Sequence, residues 1–361
     1  MRVLQLIDSL EAGGAERIAV NFANALTTEV EVSFLCATRK EGILKASINS
    51  DVGYCFLNKK STLDIRAIKR LRGFISHNEI SIIHAHSSSF FIATIIKILN
   101  PKLKLVWHDH YGKSDFLEER PKSVLKFCSR FFNHIFCVNS KLKSWVKNEL
   151  NTGSVSFLFN FAVRDDVVQT TVLKGEKGKR IVCLANLRPQ KDHLNLLKAF
   201  KRVTEVYPDW SLHLVGKDFK DDYARRIFQW IEKENLEHRV YFCGSCSDIS
   251  SILKQSDIGV LASKSEGLPL ALLEYGLASL PVVTTNVGDC KKVIENENLG
   301  YLVLPENVDA LYSAFLCLIE KPNEGKINMG NALNNHVELH FSKKKTIAKI
   351  LAVYKSIERN K

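Results

Sequence analysis

The sequence has no apolar run of the roughly 18 residues that a membrane-spanning helix needs, and it has no low-complexity tract. Its longest candidate, Phe90–Leu99, is short and contains Lys97. The N-terminal segment reaches Asp8 before the apolar region of a signal peptide is complete. These absences argue against membrane-spanning and disordered classes of protein. We therefore expect a cytoplasmic protein that begins with a strand.

A second CxxC pair, which a zinc module would need, is also lacking. The nine cysteines are scattered and odd in number, and Cys243-Gly-Ser-Cys246 is a lone CxxC. Most of the nine lie in apolar runs, which favours buried reduced thiols over a disulfide framework. No zinc module and no aromatic RNA-binding motif is found, so we expect no nucleic-acid partner.

Strand and helix patterns alternate along a chain whose 361 residues indicate two domains. The strand-like runs are VLQLID, EVSFLCA, VGYCFLN, ISIIHAH, LKLVWHD, HIFCVNS, SVSFLFN, RIVCLANL, WSLHLVG, RVYFCG, DIGVLAS, LPVVTTN and LGYLVLP. Strands that are apolar along their whole length suit parallel sheets covered on both faces. The pattern predicts an α/β fold of two doubly wound, Rossmann-like domains facing across a cleft.

The alternation fails between Asn160 and Arg180, where a polar stretch ends in a Gly- and Lys-rich segment. We predict an N-terminal domain over 1–165, a linker over 166–179, a C-terminal domain over 180–340 and a C-terminal helix over 341–361. One face of that helix carries Ile347, Ile350, Leu351 and Tyr354. We expect this helix to pack back across the domains.

Ligands of doubly wound domains bind where parallel strands end, so the residues that follow strands are the candidates. Gly13 and Gly14 follow the first strand and open a helix; they permit close approach to a ligand, and a helix N-terminus favours an anion. After RIVCLANL, Arg188 and Lys191 lie three residues apart, which suits one pyrophosphate. A plain tight turn and an exposed loop pair are the alternatives.

The stretch SEGLPLALLE, residues 265–274, places two acids in an apolar setting. Pro269 is expected at the first helical position, because its missing N–H needs no partner there. Glu266 then lies in the preceding loop, and Glu274 lies within the helix. Backbone N–H groups near Gly267 and Leu268 are predicted to receive a phosphate. Glu274 can accept hydrogen bonds from hydroxyl groups, and binding both hydroxyls of a ribose is a common use of such an acid. A solvated helix face is the alternative, which its apolar neighbours make weak.

Four histidines end two strands, His84 and His86 in HAH and His108 and His110 in HDH. Imidazole is a common metal ligand. We expect the two members of each pair on opposite faces of the sheet, so that neither pair chelates a metal and one histidine per strand faces the cleft. His110 is predicted to contact the ligand, with His108 as the alternative. His84 and His108 are predicted to be packed histidines.

Together these motifs resemble the retaining GT-B glycosyltransferases of family 4. The resemblance rests on GGAE, R-x-x-K, E-x7-E and LPVVTTNVG (280–288), which follow in the family's order along nearly the whole chain. It implies transfer of a sugar from a nucleotide sugar, with UDP the commoner expectation, and an N-terminal domain that binds the acceptor. It also implies no metal and no cofactor, and no D-x-D motif occurs in the sequence.

The resemblance also implies roles for the motif residues. Arg188 and Lys191 would hold the pyrophosphate and stabilise the leaving nucleoside diphosphate. Glu266 would contact the transferred sugar, and Glu274 would bind the ribose.

Two residues of the N-terminal domain also receive roles by resemblance. Gly14 would lie against the donor phosphates or the acceptor, and His110 would donate a hydrogen bond to a sugar hydroxyl. One departure is Ser279, which stands where the family usually has glycine before the Leu-Pro of LPVV.

The net charge of +12 is uneven, since the stretch between Lys97 and Lys147 holds eleven basic and four acidic residues, a net charge of +7. Within it, ERPKSVLKFCSRFFNHIF is predicted to form a cationic amphipathic helix. Its charged side carries Lys122, Lys126 and Arg130, and its apolar side carries Val124, Leu125, Cys128, Phe131 and Phe132. Such a helix suits an anionic membrane surface. An ordinary core-packing helix with a wet face is the alternative.

The sequence thus predicts a peripheral enzyme at the inner face of the cell membrane. Its partners would be a nucleotide sugar and a lipid-linked or saccharide acceptor. Its role would be in the synthesis of surface polysaccharide. A non-catalytic nucleotide-sugar-binding protein on the same fold is the alternative, against which the joint presence of the R-x-x-K and E-x7-E motifs argues.

Overall fold

The computed structural model describes residues 1–112, 114–164 and 169–359, which form two compact units. The first unit comprises Met1–Phe161 with Lys343–Lys361, and the second comprises Ala162–Ser342. The predicted domain end at residue 165 and the predicted linker residues 166–168 lie outside the described residues.

Helices and strands alternate throughout both units. The strands are β1 (Arg2–Ser9), β2 (Val32–Lys40), β3 (Gly53–Phe56), β4 (Ile82–His86), β5 (Lys104–Asp109), β6 (His134–Cys137), β7 (Val155–Phe157), β8 (Arg180–Leu184), β9 (Ser211–Val215), β10 (Val240–Gly244), β11 (Ile258–Leu261), β12 (Val282–Thr285) and β13 (Tyr301–Val303). The helices are α1 (Gly14–Leu26), α2 (Ile65–His77), α3 (Phe90–Leu99), α4 (Ser123–Cys128), α5 (Ser140–Glu149), α6 (His193–Val206), α7 (Asp222–Lys233), α8 (Ile249–Lys254), α9 (Leu270–Leu277), α10 (Cys290–Val293), α11 (Val308–Ile319), α12 (Asn323–His340) and α13 (Lys343–Arg359).

Each unit contains one parallel sheet with the doubly wound strand order. The order is β3-β2-β1-β4-β5-β6-β7 in the first unit and β10-β9-β8-β11-β12-β13 in the second. The chain changes direction across the sheet between β1 and β4, and again between β8 and β11, and such switch points are where doubly wound sheets bind ligands. The predicted fold class is confirmed for each unit.

Local sequence explains how several helices begin. Asp64, Asn139, Asp221 and Asn307 each accept a hydrogen bond from the backbone N–H three residues later. These caps satisfy N–H groups that lack a partner within the helix. Inside the units, apolar strand residues pack against the buried faces of the helices.

The C-terminal helix α13 belongs to the first unit. Ile347, Ile350 and Tyr354 are buried, as the predicted apolar face requires. The Tyr354 hydroxyl lies 2.6 Å from Nδ1 of His84, and the Ser81 hydroxyl donates to Glu358 at 2.9 Å. These contacts fix α13 against the strands that carry the histidine pairs.

The predicted amphipathic helix over ERPKSVLKFCSRFFNHIF is wrong in extent. Only Ser123–Cys128 is α-helical; a 3₁₀ turn and the buried strand β6 follow. Val124, predicted on the apolar side, is 56% exposed, and Phe127 is 53% exposed. The structure thus shows a short exposed helix, and no helix within the described ranges is both long and apolar enough to cross a bilayer.

Candidate functional site

The R-x-x-K motif forms a tight turn directly after β8. Residues Pro189–Lys191 make one turn of 3₁₀ helix, in which the Lys191 N–H donates to the Arg188 carbonyl at 2.9 Å. Asp192 follows in the left-handed region, with φ of 48° and ψ of 48°, and α6 begins at His193. The turn therefore reverses the chain at the switch-point end of β8 and leaves both cationic side chains at that edge.

The loop after β11 brings Glu266 against this turn. Lys191 Nζ lies 2.5 Å from Glu266 Oε1, although the two residues are 75 positions apart. The Lys264 N–H donates to the Gln190 carbonyl at 2.8 Å, which ties the two loops together through the backbone. The structure thus brings Lys191 of R-x-x-K into contact with the first acid of E-x7-E, a contact that the sequence did not predict.

Glu266 is buried and held by its own strand end. The Ser263 hydroxyl donates to Glu266 Oε1 at 2.6 Å, and the Thr285 hydroxyl donates to the Ser263 carbonyl at 2.7 Å. A buried carboxylate is stable only when it has such partners. Ser263 was missed in the sequence, and its only signal was its place at the end of the DIGVLAS run.

Arg188 is exposed, and its guanidinium lies over the ring of Phe219 with Cζ 3.5 Å from the ring centroid. Lys217 Nζ lies 5.1 Å from the same centroid. The aromatic ring restrains a long side chain that would otherwise lose more conformational entropy on binding a ligand. Phe219 was also missed, although it follows the end of β9, the strand beside β8.

Gly288 explains why the LPVVTTNVG segment ends in glycine. Its φ is 53°, and a Cβ there would clash with the carbonyl oxygen of Glu266. The adjacent Asp289 N–H donates to the Gly267 carbonyl at 2.8 Å. Only a residue without a side chain fits this left-handed position against the loop, so the segment braces the backbone that carries Glu266.

Helix α9 begins one residue later than predicted, because Pro269 has extended ψ of 122° and α9 starts at Leu270. Leu268 is buried, and Glu274 is half-buried on α9. Glu274 lines a pocket of about 270 Å³ together with Ile249 and Leu253 of α8. The two acids of E-x7-E therefore face different surroundings, an ion pair for Glu266 and a pocket wall for Glu274.

Ser279, which stands where the family usually has glycine, lies in a strained backbone conformation. Its φ is 55°, in the left-handed region just after the end of α9. Glycine is usual at this position after a helix because it has no Cβ. The departure from the family pattern therefore places a serine in a conformation that favours glycine.

The glycines after β1 stand at the start of α1. Gly14 is the first helical residue, and Gly13 before it is extended, with φ of −163°. A Cβ on Gly13 would clash with the carboxylate of Glu16, whereas one on Gly14 would meet no described atom within 4 Å. The Glu16 carboxylate is the end of a flexible side chain and can move aside, so packing does not by itself require glycine at Gly13, and open space adjoins Gly14.

All four histidines lie on one face of the first sheet, so the expectation of opposite faces is wrong. Residues two apart on a strand share a face. The rings of His84 and His86 are 4.7 Å apart and those of His108 and His110 are 4.0 Å apart, between centroids. His84, His86 and His108 are fully buried, whereas His110 is only partly buried. His110 is therefore the member that a ligand can reach.

Ring nitrogens of His84, His86 and His108 lie within 4.8 Å of one another. The His84 and His86 rings are nearly parallel, 15° apart, as are those of His84 and His108, 20° apart. Lone pairs of stacked rings lie in separate planes and do not converge on one ion. The arrangement therefore favours stacking over chelation, and the expectation of no metal stays a prediction.

Burial keeps these rings neutral. It lowers the pKa of His84, His86 and His108 well below the ordinary histidine value, and it lowers the pKa of His110 to about 3. A neutral imidazole has one donor and one acceptor nitrogen, so each hydrogen bond of His84, His86 and His110 requires a particular tautomer of that ring.

Asp109, between His108 and His110, has a structural role on the opposite face. It accepts two hydrogen bonds from the Arg120 guanidinium, at 2.7 and 2.8 Å. That guanidinium is stacked against Tyr111 and Trp145, 4.4 and 4.3 Å from their ring centroids. Paired in this way, the buried carboxylate anchors the loop that follows β5.

Two family models match the chain in succession. The family described as Glycosyltransferase Family 4 matches residues 12–155, and Glycosyl transferases group 1 matches residues 164–335. The first match includes the glycines and histidines of the first unit. The second includes the R-x-x-K and E-x7-E motifs.

Relatives cover nearly the full chain. A UDP-Gal:alpha-D-GlcNAc-diphosphoundecaprenol alpha-1,3-galactosyltransferase of Escherichia coli is 25% identical over 381 aligned positions, covering 96% of this chain and 95% of its own. An uncharacterized glycosyltransferase of Haemophilus influenzae is 22% identical, covering 86% and 88%.

Two solved structures share the fold. One is sucrose-phosphate synthase from Thermosynechococcus elongatus, with a TM-score of 0.80, 15% identity and coverage of 100% of both chains. The other is Anabaena HepE in complex with UDP and glucose, with a TM-score of 0.78, 17% identity and coverage of 99% and 100%.

Proposed function

Because the chain belongs to the family 4 glycosyltransferases with the GT-B fold, we propose that it transfers a sugar from a UDP-sugar to a lipid-linked acceptor with retention of anomeric configuration. The observation that carries the proposal is the contact between Lys191 and Glu266. It joins the R-x-x-K turn to the E-x7-E loop at the switch point of the second sheet. Cations for a diphosphate and an acid for a sugar thus lie within one hydrogen bond of each other.

In the proposed reaction, the bond from the anomeric carbon to the donor phosphate oxygen breaks, and its electron pair goes to UDP. The acceptor hydroxyl oxygen bonds to that carbon on the same face, and its proton passes to the departing phosphate oxygen. Arg188 and Lys191 stabilise the negative charge that develops on the diphosphate. Glu266 contacts the transferred sugar, Glu274 binds the ribose, and no metal takes part.

In the second unit, the backbone of Gly267 and Leu268 completes the proposed donor site. In the first unit, Gly14 is proposed to meet the donor phosphates or the acceptor. Open space beside Gly14 leaves room for a phosphate or an acceptor at the start of α1. Helix α9 begins two residues after Leu268, and its N-terminus carries partial positive charge. His110 is the histidine that meets a sugar hydroxyl, since its three neighbours in the stack are fully buried.

For the acceptor, the E. coli relative's name specifies a sugar on diphosphoundecaprenol. A lipid-linked acceptor requires access to a bilayer surface. We propose that the protein contacts the bilayer through a surface that combines cationic and apolar side chains, namely Lys122, Val124, Lys126, Phe127 and Arg130. All five are exposed on or beside α4. Apolar side chains flanked by cations bind anionic lipid headgroups. The enzyme would then work peripherally at the inner face of the membrane in surface polysaccharide synthesis.

The donor test measures release of UDP from UDP-galactose, UDP-glucose and UDP-N-acetylglucosamine, with GDP-mannose as a control for the base. We expect one UDP-sugar to be turned over slowly without acceptor and Glu266→Gln to suppress that turnover. Proton NMR of the transfer product then reports the anomeric configuration. Binding of the whole panel without turnover in the presence of lipid-linked acceptors would instead support a binding protein, and an inverted product would contradict retention.

The membrane test is sedimentation with vesicles containing anionic phosphatidylglycerol. We expect binding that weakens with salt and that Phe127→Ser combined with Lys126→Glu abolishes. The matched control is Lys69→Glu, which changes a lysine exposed on α2 of the same unit. Binding that ignores salt and survives the double substitution would contradict this part of the proposal while leaving the donor chemistry standing.

A further inference from the structure

A continuous hydrogen-bonded chain runs from the C-terminal helix to His110. The Gln5 amide nitrogen lies 3.3 Å from the Tyr354 hydroxyl, and Gln5 Oε1 lies 2.8 Å from His86 Nε2. His86 Nδ1 then lies 3.0 Å from His110 Nε2. Gln5, His86 and Tyr354 are fully buried, so water does not compete for these bonds.

The position of the proton in each hydrogen bond can be assigned in turn, starting from Tyr354. The Tyr354 hydroxyl lies 2.6 Å from His84 Nδ1, a short distance that suits O–H donation to a neutral ring. Its lone pair then accepts from the Gln5 NH₂ group, which leaves the Gln5 carbonyl oxygen facing His86 Nε2. A carbonyl only accepts, so His86 has its proton on Nε2.

The neutral His86 ring therefore has a lone pair on Nδ1. Its partner, Nε2 of His110, must donate. A neutral His110 ring with its proton on Nε2 has a lone pair on Nδ1, and no described residue gives that nitrogen a hydrogen-bond partner.

We propose that Gln5 and His86 are positioning residues that hold His110 in the Nε2–H tautomer, so that Nδ1 accepts a hydrogen bond from a hydroxyl of the sugar substrate. This inference rests on the proposed function for the substrate, but the tautomer itself does not. It reverses the sense that the family resemblance implies, in which His110 donates. A sugar hydroxyl that donates its proton to His110 Nδ1 points its oxygen lone pairs away from the ring. The tautomer of His110 therefore affects how the sugar is oriented.

The deciding measurement is the tautomer of His110 in the full-length protein labelled with ¹⁵N-histidine, by two-bond nitrogen–proton correlation spectra at neutral pH. The His110 signals are assigned by their loss in His110→Asn. We expect Nε2 protonated and Nδ1 unprotonated. A ring protonated on Nδ1, or one that averages between both tautomers, would overturn the proposal. This spectrum needs no substrate and no other variant.

Two substitutions of His86 separate hydrogen bonding from packing. His86→Asn keeps an acceptor where Nδ1 stands, whereas His86→Phe keeps only the ring. We expect His86→Phe to let His110 sample both tautomers and to lower kcat/KM for donor turnover about tenfold, which is the size of one lost hydrogen bond. We expect His86→Asn to keep the single His110 tautomer and the wild-type kcat/KM. The matched control is His108→Phe, on the neighbouring strand β5 and equally buried. Neither ring nitrogen of His108 has a hydrogen-bond partner among the described residues, so this change should leave the His110 tautomer unchanged.

The two proposals fail in different ways. If the wild-type protein turns over no nucleotide sugar, the proposed function fails while the spectrum still decides the tautomer. If the wild-type protein turns over the donor but His86→Phe and His108→Phe lower that turnover equally with no change in the His110 tautomer, the positioning role is overturned and the glycosyltransferase stands.

Discussion

The ammonium of Lys191 lies 2.5 Å from the Glu266 carboxylate, and these two residues come from loops that follow the neighbouring strands β8 and β11. The side chain of Glu266 is 7% exposed and that of Lys191 is 22% exposed. An ion pair this sheltered is screened less than a surface pair. In the proposed reaction, the donor diphosphate and Glu266 compete for the same ammonium.

A double-mutant cycle tests that pairing. Lys191→Ala leaves a buried carboxylate without its cation and should lower the free energy of unfolding by about 1–3 kcal/mol. Glu266→Gln in the same chain should recover part of that loss, because no buried charge then remains. Denaturant unfolding of the four proteins measures the coupling. Arg188→Ala, at an exposed side chain, is the control and should change stability by less than about 0.5 kcal/mol; strict additivity would contradict the pairing.

The two acids of E-x7-E should respond differently to removal of charge. Glu266→Gln should lower kcat about a hundredfold and leave the Kd for UDP nearly unchanged, since that acid is assigned to the sugar. Glu274→Gln should weaken UDP binding about tenfold, the value of a hydrogen bond to a charged group, with a smaller effect on kcat. Steady-state kinetics and calorimetric titration with UDP separate the two. If both variants change only thermal stability, these roles are wrong.

Phe219 should contribute to donor binding without touching the donor. Phe219→Leu removes the aromatic face under the Arg188 guanidinium and should weaken UDP binding about two- to fivefold, as loss of a modest cation–π contact does. Titration with UDP measures the change. Tyr312→Leu is the matched control, because it removes a similar contact, 4.1 Å from the Arg202 guanidinium to the ring, on the helix pair α6 and α11. Equal weakening by both would show that the effect is not local.

Most of the fold was accessible from the sequence because buried parallel strands are apolar on both faces. Each of the thirteen predicted strand runs overlaps a strand of the structure. The failure at 119–136 has the same origin: HIF is part of a buried strand, and its apolar residues completed a helical pattern that is not there. The four histidines were placed on two faces although the period of a strand is two residues.

The site was predictable only in part. Their positions after strands placed the R-x-x-K turn and Glu266 at the ligand-binding edge of a sheet, whereas the direct contact of Lys191 with Glu266 was not predicted. Ser263 and Phe219 were missed because their contacts depend on how side chains turn within loops. The Gln5–His86 contact joins residues 81 positions apart in the chain, and no pattern in the sequence specifies that register.

Ser279→Gly should stabilise the protein. A serine with φ of 55° has the left-handed conformation, which costs an L-residue about 1–2 kcal/mol relative to glycine. Part of that gain is offset by the greater freedom of glycine in the unfolded chain. We expect the Tm to rise by about 2–4 °C. Ala278→Gly, one residue earlier with φ of −83°, is the matched control and should lower the Tm; a fall in both variants would show that Ser279 is not strained.

The buried histidines should make stability depend on pH. Burial lowers the pKa of His108 well below its ordinary value, so the unfolded chain takes up a proton near pH 6.5 and the folded chain does not. The contribution of the neutral His108 ring to the free energy of unfolding is therefore complete above that pH and is lost as the pH falls. Each such ring should lower the free energy of unfolding by about 1 kcal/mol between pH 7.5 and 5.5.

His108→Phe isolates one ring of the stack. Both ring nitrogens of His108 are buried without a hydrogen-bond partner among the described residues, so phenylalanine removes a titrating group and leaves no partner unsatisfied. Urea unfolding at pH 7.5 and 5.5 should show a smaller loss than in the wild type, by about 1 kcal/mol. His77→Gln, at an exposed histidine on α2, is the control and should leave the loss unchanged. An unaltered pH dependence in His108→Phe would mean that this ring is charged in the folded protein, which would contradict the neutral stack on which the tautomer of His110 depends.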